Sequence, residues 1–218
     1  MKQLARRILA LLYPPKCVLC AGLLAKKETD LCTACRLNTP AYPGSRHKLP
    51  HLAKWDALWY YEGTVRRSIL RYKFYGRRSY SQSYGRLLAM KLVRENNSFD
   101  ILTWIPVSRL RRWKRGYDQV ELLALAAGRE LGISAQRTLM KIRNNPPQTQ
   151  QRNAAGRRAN VLGAYCCPEP EAVRGKRILL IDDILTTGST AGECARVLLT
   201  AGAKEVHFLA LAASHNSQ

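Results

Sequence analysis

Acidic residues are scarce in this chain: 15 Asp and Glu stand against 36 Lys and Arg in 218 residues, a formal net charge of +21. A chain this lopsided repels itself unless something of opposite sign compensates it, and a polyanion is the simplest such partner. Nucleic acid is the first candidate and an anionic membrane surface the second. Long apolar runs are missing too. No stretch of eighteen apolar residues occurs, so a transmembrane helix is excluded. The stretch Met1 to Cys17 imitates a secretion signal, with Lys2, Arg6 and Arg7 before Ile8 to Tyr13. That apolar segment is too short for a signal core and runs into Pro14-Pro15 without a small-residue cleavage site, so a cytoplasmic location is expected. The chain also lacks Gly-Lys-Ser/Thr and Gly-x-Gly-x-x-Gly, which disfavours a nucleoside triphosphatase and a nicotinamide dehydrogenase. With 46% hydrophobic residues there is enough to build a core, and wholesale disorder is not expected.

The charge is uneven. Arg66 to Arg115 holds fourteen Lys and Arg and only two acids, Glu95 and Asp100, and Arg137 to Arg158 adds six bases and no acid. Aromatics interleave with these bases: Tyr60-Tyr61, Tyr72, Phe74-Tyr75 and Tyr80 run with Arg66, Arg67, Arg71, Lys73, Arg77 and Arg78, and Trp113 and Tyr117 lie with the later basic cluster at Arg109 to Arg115. A basic groove with stacking rings is what single-stranded nucleic acid needs, although such rings also serve as core.

Seven cysteines cannot all pair. Cys17-x-x-Cys20 and Cys32-x-x-Cys35, eleven residues apart, form two turns that could each give two thiolates to one tetrahedral metal. Two disulfides or four free thiols are the alternatives. Four sulfurs leave no open position, so the site would be structural zinc, supplying folding energy to a segment too short to bury a core. His47 and His51 are expected to be solvated loop residues. Cys166, Cys167 and Cys194 are read as small buried hydrophobes.

Beyond a Pro-containing linker over Asn38 to Pro50, the pattern predicts a strand or hairpin at Lys54 to Glu62. Helices are predicted at Val65 to Tyr72 and Ser83 to Arg94, and a strand at Asp100 to Val107. A further helix is predicted from Asp118 to Leu131, closed by Gly132. Short strands follow at Arg137 to Arg143 and Gly163 to Cys167, separated in part by a polar loop at Asn144 to Gln150. A buried strand at Lys176 to Ile181, a helix at Thr190 to Thr200 and a strand at Glu205 to Leu211 complete it. Alternating strands and helices imply an α/β parallel sheet.

The sharpest signal is Ile178-Leu-Leu-Ile-Asp182-Asp183-Ile-Leu-Thr186-Thr187-Gly188-Ser189-Thr190. Two carboxylates are expected at the end of a central strand. The hydroxyl-rich loop then leads into a helix N-terminus, which together make a phosphate cradle. The hydroxyls could instead serve only as helix caps.

These residues resemble the phosphoribosyl-pyrophosphate (PRPP) motif of type I phosphoribosyltransferases. The resemblance implies that Asp182 and Asp183 hold the ribose hydroxyls, and that Thr186, Thr187, Gly188, Ser189 and Thr190 hold the 5-phosphate, with Mg²⁺ accompanying PRPP. Four further stretches are similar to the ComF family of competence proteins. They are the paired Cys-x-x-Cys turns, Ile69 to Arg77, Ile105-Pro-Val107-Ser108 through Arg109, Arg112, Arg115 and Gly116 to Gln119, and Pro147-Gln148-Thr149 with Arg157, Asn160-Val161 and Gly163 to Tyr165. Val107 and Ser108 resemble the family's pyrophosphate loop, with Lys73, Arg77 and the arginines of 109–115 as candidate pyrophosphate cations. Two departures stand out: Asp118 replaces the family's Asn, and Gln150-Gln151-Arg152 stands where a Leu is usual.

The expected architecture is therefore a type I phosphoribosyltransferase-like α/β domain, a parallel sheet with flanking helices, over residues 52–218, preceded by a small N-terminal zinc ribbon over 1–45. The resemblance implies a role in DNA uptake and natural transformation, with single-stranded DNA, PRPP, a ComFA-type helicase and DNA-processing proteins as partners. Arg66, Arg67, Arg71, Lys73, Arg109, Arg112 and Arg115 are the expected DNA contacts. An active Mg²⁺-dependent phosphoribosyltransferase acting on a nucleobase in salvage is the alternative.

Overall fold

A computed structural model describes residues 14–44, 47–94, 98–143 and 161–215. The stretches around Pro147-Gln148-Thr149, Gln150 to Arg152, Arg157 and Asn160 lie outside the described residues, as does most of the signal-like N-terminus.

The central sheet has four strands, all parallel: β1 (Lys54–Tyr60), β2 (Ile101–Trp104), β5 (Arg177–Leu185) and β6 (Glu205–Ala213), in the order β1-β6-β5-β2. Strands β5 and β6 sit in the middle, and their near-continuous apolar sequences follow from burial on both faces. Alternate side chains go opposite ways. Leu179, Ile181, Leu209 and Leu211 join a core with α2 (Gly63–Phe74), α3 (Tyr80–Arg94) and α5 (Gln119–Leu131). Ile178, Leu180, Phe208 and Ala210 join one with α7 (Ser189–Thr200). A separate antiparallel pair, β3 (Met140–Lys141) with β4 (Tyr165–Cys166), stands apart from this sheet. Shorter helices are α1 (Thr33–Asn38), α4 (Arg109–Arg115) and α6 (Pro170–Val173).

Helix α5 starts and stops where the sequence directs. The Asp118 carboxylate accepts from the N–H groups of Val120 at 3.0 Å and Glu121 at 3.2 Å, and Gly132 ends the helix in the left-handed region at φ 67°. Val120, Leu123, Ala124 and Ala127 form its buried stripe. Helices α3 and α5 approach so closely that a Cβ on Gly85 would lie 2.6 Å from the Ala126 Cβ and 2.8 Å from the Ala127 nitrogen.

Several expectations need correction. Strand β5 runs on to Leu185, so Asp182 and Asp183 lie within the strand and not beyond it. The reason is pairing: Asp182 and Leu185 are still in register with Ala210 and Ala213 of β6. A helix, α4, occupies the basic run 109–115, where no apolar periodicity announced one. The two strands expected at 137–143 and 163–167 shrink to two residues each. Cys194 is buried as expected, but Cys166 and Cys167 are only half-buried. His51 is exposed, whereas the His47 ring packs edge-on to Trp55 at 5.0 Å and is half-buried. The expected linker is not a free tether either: Tyr42 is buried against Trp55 and Tyr60, and the Trp55 indole donates to the His47 carbonyl at 2.9 Å.

The cysteine-rich segment shares the core of the sheet domain. Cys17, Val18, Leu19 and Leu31 are buried in one cluster with Ile69, Tyr72, Tyr84 and Leu88. Asp30, itself buried, pairs with Arg86 of α3, an ion pair that holds the segment from a second side.

Candidate nucleotide-sugar site and metal centre

The C-terminal end of β5, the loop after it and the N-terminus of α7 form one wall of a cleft of about 1020 Å³. Asp182, Asp183, Thr186, Gly188, Ser189 and Thr190 line this wall, and Lys73, Pro106, Val107, Ser108, Arg115 and Gln119 line the others. The reason they meet is topological. Parallel strands all point their C-terminal ends the same way, so the segments following β1, β2 and β5 converge at one edge.

Asp183 is 5% exposed and tightly held. The Lys73 ammonium sits 2.9 Å from one carboxylate oxygen, and the Gln119 amide donates to the other at 3.2 Å. Lys73 therefore does not stand free on the rim as a pyrophosphate cation; it neutralises the second acid of the pair. The Asp182 carboxylate accepts from the Asp183 N–H at 2.7 Å. Burial, and next the Asp183 charge, push the Asp182 carboxyl well above the usual carboxylate range, while Lys73 pulls the other way.

In the hydroxyl loop, Thr187 and Ser189 hydroxyls lie 2.9 Å apart, and the Ser189 N–H reaches toward Thr187 Oγ1 at 3.5 Å. Gly188 is left-handed at φ 71°, and a Cβ there would meet the Leu49 methyls at 2.7 Å. The loop 47–50 thus packs directly on the candidate phosphate loop, a contact no local pattern announces. Across the cleft, Asp118 explains itself. Its second oxygen accepts from the Val107 N–H at 3.3 Å, so the same side chain that caps α5 also ties down the Val107-Ser108 loop. Gln119 Oε1 is buried on this cleft with no hydrogen-bond partner among the described residues.

The basic residues divide. Arg66 and Arg115 line the cleft, and the Arg115 guanidinium lies 4.8 Å from the Phe74 ring centre. Arg78 covers Tyr117 at 4.5 Å. Arg67 and Arg77 are exposed, and Arg67 donates to Thr64 at 3.0 Å. Arg112 sits 3.9 Å from Glu121. Arg109 heads α4, and its side chain is outside the described set. Arg71 turns inward and donates to the Leu19 carbonyl, so it is not part of the rim. Phe74, Tyr75 and Trp113 are exposed at 60%, 72% and 82%, and of the three Phe74 lines the cleft.

The four N-terminal cysteines come together. Their sulfurs all lie within 4.8 Å of one another, with Cys20 and Cys32 sulfurs 3.7 Å apart. A tetrahedral four-thiolate zinc with bonds of about 2.3 Å places its sulfurs about 3.8 Å apart, so the donor set fits such an ion. No disulfide joins them. The Cys17 thiol is held down at about 7: burial raises it, and the N–H groups of Cys20, Cys32 and Leu19 outweigh that.

Comparison with known proteins agrees with this geometry. Residues 128–218 match the family described as Phosphoribosyl transferase domain. Competence protein F of Haemophilus influenzae is 25% identical over 220 residues, covering 90% of this chain and 96% of its own. DNA utilization protein YhgH of Salmonella typhimurium is 28% identical, covering 95% and 94%. Competence protein ComFC of Streptococcus pneumoniae is 28% identical, covering 88% and 79%. Among solved structures, the allosteric regulatory enzyme of purine biosynthesis aligns at 22% identity and a TM-score of 0.44. That alignment covers 65% of this chain, which spans only 30% of the enzyme's. A hypoxanthine phosphoribosyltransferase from Staphylococcus aureus aligns at 11% identity and a TM-score of 0.40, covering 65% and 67%. No helix among the described residues is long and apolar enough to cross a membrane. Along nearly its whole length the chain is thus similar to proteins named for competence and DNA utilisation, and it carries a phosphoribosyltransferase domain.

Proposed function

We propose that this chain is a cytoplasmic DNA-utilisation protein that binds PRPP with Mg²⁺ in the cleft and single-stranded DNA along the cleft's basic, aromatic rim. The observation that carries the reading is the convergence of the acid pair, the hydroxyl loop at a helix N-terminus and the Val107-Ser108 loop on one cleft. In this reading the ribose hydroxyls donate to Asp182 and Asp183, and the 5-phosphate accepts from the hydroxyls and N–H groups of 186–190. The pyrophosphate lies toward Val107, Ser108 and Arg115. Mg²⁺, a hard cation suited to this all-oxygen donor set, would neutralise charge on the pyrophosphate. Asp183 is pre-oriented by Lys73 and Gln119, so the ribose meets a fixed acceptor. The four thiolates hold a structural zinc and take no part in the chemistry.

The rim supports the second half of the proposal. Arg66, Arg67, Arg112 and Arg115 supply charge for phosphates, and exposed Phe74, Tyr75 and Trp113 offer ring faces for bases. Competence and DNA-utilisation relatives supply the biological context, with a ComFA-type helicase and DNA-processing proteins as partners in uptake.

Calorimetric titration of PRPP and Mg²⁺ into the metal-loaded protein is the test. Binding that disappears in Asp182→Asn/Asp183→Asn is expected; no heat with the wild type sinks the PRPP half. Single-stranded DNA binding should fall steeply with salt and weaken in Arg66→Ala/Arg67→Ala, and a flat salt response overturns the rim assignment. A second reading, active transfer of phosphoribose to a nucleobase, rests on the cleft volume, which is at the upper end for ligand sites and leaves room for an acceptor beside PRPP. Pyrophosphate release on adding a base from a nucleobase panel separates it from binding alone.

A further inference from the structure

Helix α2 is gripped on two sides. On one side Ser68 donates to the Val18 carbonyl and Arg71 to the Leu19 carbonyl. Val18 and Leu19 are the two residues inside the first cysteine turn, buried at 1% and 0% exposure between Cys17 and Cys20. Ser68 and Arg71 are three apart and share a face. Lys73 is two residues past Arg71, about 200° around the helix, and it meets Asp183 on the far side. Between them Tyr72 is buried, its hydroxyl donating to the Gln119 carbonyl and its own carbonyl accepting from Tyr117 at 2.8 Å. Arg71 Nε is buried without a partner among the described residues, so this cation is poorly satisfied for a residue in the most basic stretch of the chain. A guanidinium kept there despite that cost has its place fixed by the turn it holds.

We infer that Ser68 and Arg71 are positioning residues: by holding the carbonyls of the Cys17–Cys20 turn, they couple metal occupancy at the four-cysteine centre to the placement of Lys73 against Asp183. The metal fixes the turn from within, and its carbonyls present the acceptors that seat α2. When the metal leaves, the turn relaxes, one face of α2 loses its anchors and the Lys73–Asp183 pair loosens. The inference rests on the PRPP reading only for the identity of the ligand that feels this. By linkage, a ligand that needs the pair intact also tightens the metal, by the same factor.

The test reads Lys73 directly on the full-length protein. Limiting acetylating reagent is applied and modification at Lys73 is quantified by peptide mass spectrometry against exposed Lys176. Lys73 is 16% exposed and ion-paired, so it reacts slowly in the metal-loaded wild type. Removing the metal with a chelator should raise its relative rate about fivefold or more, the lower end of ordinary coupling strengths. Metal-loaded Arg71→Met should do the same, and Arg71→Lys, which keeps one donor, should restore slow reaction. Removing metal from Arg71→Met should add little, because the link is already cut. A purely structural role for Arg71 predicts lower thermal stability with unchanged Lys73 reactivity, or additive effects, and either overturns the inference. Protein purified without chelators that holds no metal also overturns it. If the metal-free chain unfolds, metal-loaded Arg71→Met against Arg71→Lys decides alone. PRPP titration of the same samples is a separate arm. Weaker binding without metal is expected, whereas absent binding in every sample, with Lys73 still responding, removes PRPP as the ligand and leaves the coupling standing.

Discussion

Replacing Gly85 by Ala drives a methyl group between two helices. The added Cβ would sit 2.6 Å from the Ala126 Cβ, 2.8 Å from the Ala126 carbonyl carbon and 2.8 Å from the Ala127 nitrogen. Comfortable carbon contacts need about 3.5–4.0 Å, so α3 and α5 must part by about 1 Å. Two of the three obstructing atoms are backbone, so no rotamer change relieves the contact. Overpacking of this kind costs about 1–3 kcal/mol, and a backbone obstruction belongs at the upper end. Replacing Gly by Ala inside a helix returns about 1 kcal/mol. The net loss is therefore about 2 kcal/mol, which at about 2–4 °C per kcal/mol for a chain of this size lowers Tm by about 4–8 °C. Thermal unfolding followed by circular dichroism, with metal held constant, measures it. Because α5 begins with Gln119, which donates to Asp183, ligand binding should weaken as well. Adding Ala126→Gly removes the nearest atom but not the backbone contacts and should restore only part of the loss. A Tm equal to or above that of the wild type would refute the packing argument.

Two further outcomes follow from the site. Asp182→Asn should raise Tm at neutral pH in the absence of PRPP and Mg²⁺ while abolishing PRPP binding. The folded carboxyl titrates well above its usual 3.8, so below that pH the acid is neutral in both states and the variant gains nothing. As pH rises through the folded value, the wild type alone loses stability, and a gain in Tm that does not grow with pH would contradict this. Asp118→Ala should cost about 1 kcal/mol as a lost helix cap. Asp118→Asn keeps one oxygen to accept from Val120 and Glu121 but sets its amide NH2 against the Val107 N–H, so this variant should lose stability, though less than Asp118→Ala. A Tm for Asp118→Asn as low as that of Asp118→Ala would show that the charge, not the cap, matters.

The parts of this molecule legible in its sequence are those decided locally. Ile178 to Ile181 reads as a buried strand because a short aliphatic run, half of it β-branched, bounded by acids and a Gly-containing loop suits a strand buried on both faces. The α5 stripe reads as a helix because its cap, period and terminating glycine agree. The cysteine spacing places four sulfurs together because each turn is closed by its own short loop. What was not legible depends on partners far along the chain. Arg71 looks like a DNA contact among other arginines until Leu19, 52 residues earlier, appears beside it. Lys73 looks like a rim cation until Asp183 takes it up across 110 positions of sequence. The 47–50 loop reads as linker because its contact, Gly188, is equally remote. Helix α4 was missed because a run of arginines carries no apolar period.

The order of strands has a consequence for assembly. Strand β1 is the first of the sheet to be synthesised, yet its parallel neighbour is β6, the last. Apart from a single bridge to Ala41, β1 has no backbone partner among the described residues until that final strand is inserted between it and β5. The cysteine turns are complete within the first few dozen residues and can close on a metal early. The cleft cannot be completed until β6 arrives, because Phe208 of that strand lines it and β6 joins β1 to β5, a closure of the long-range kind that slows folding. Losing residues 205–213 would leave β1 with only its Ala41 bridge among the described residues, so removing the last strand of the sheet also strands the first.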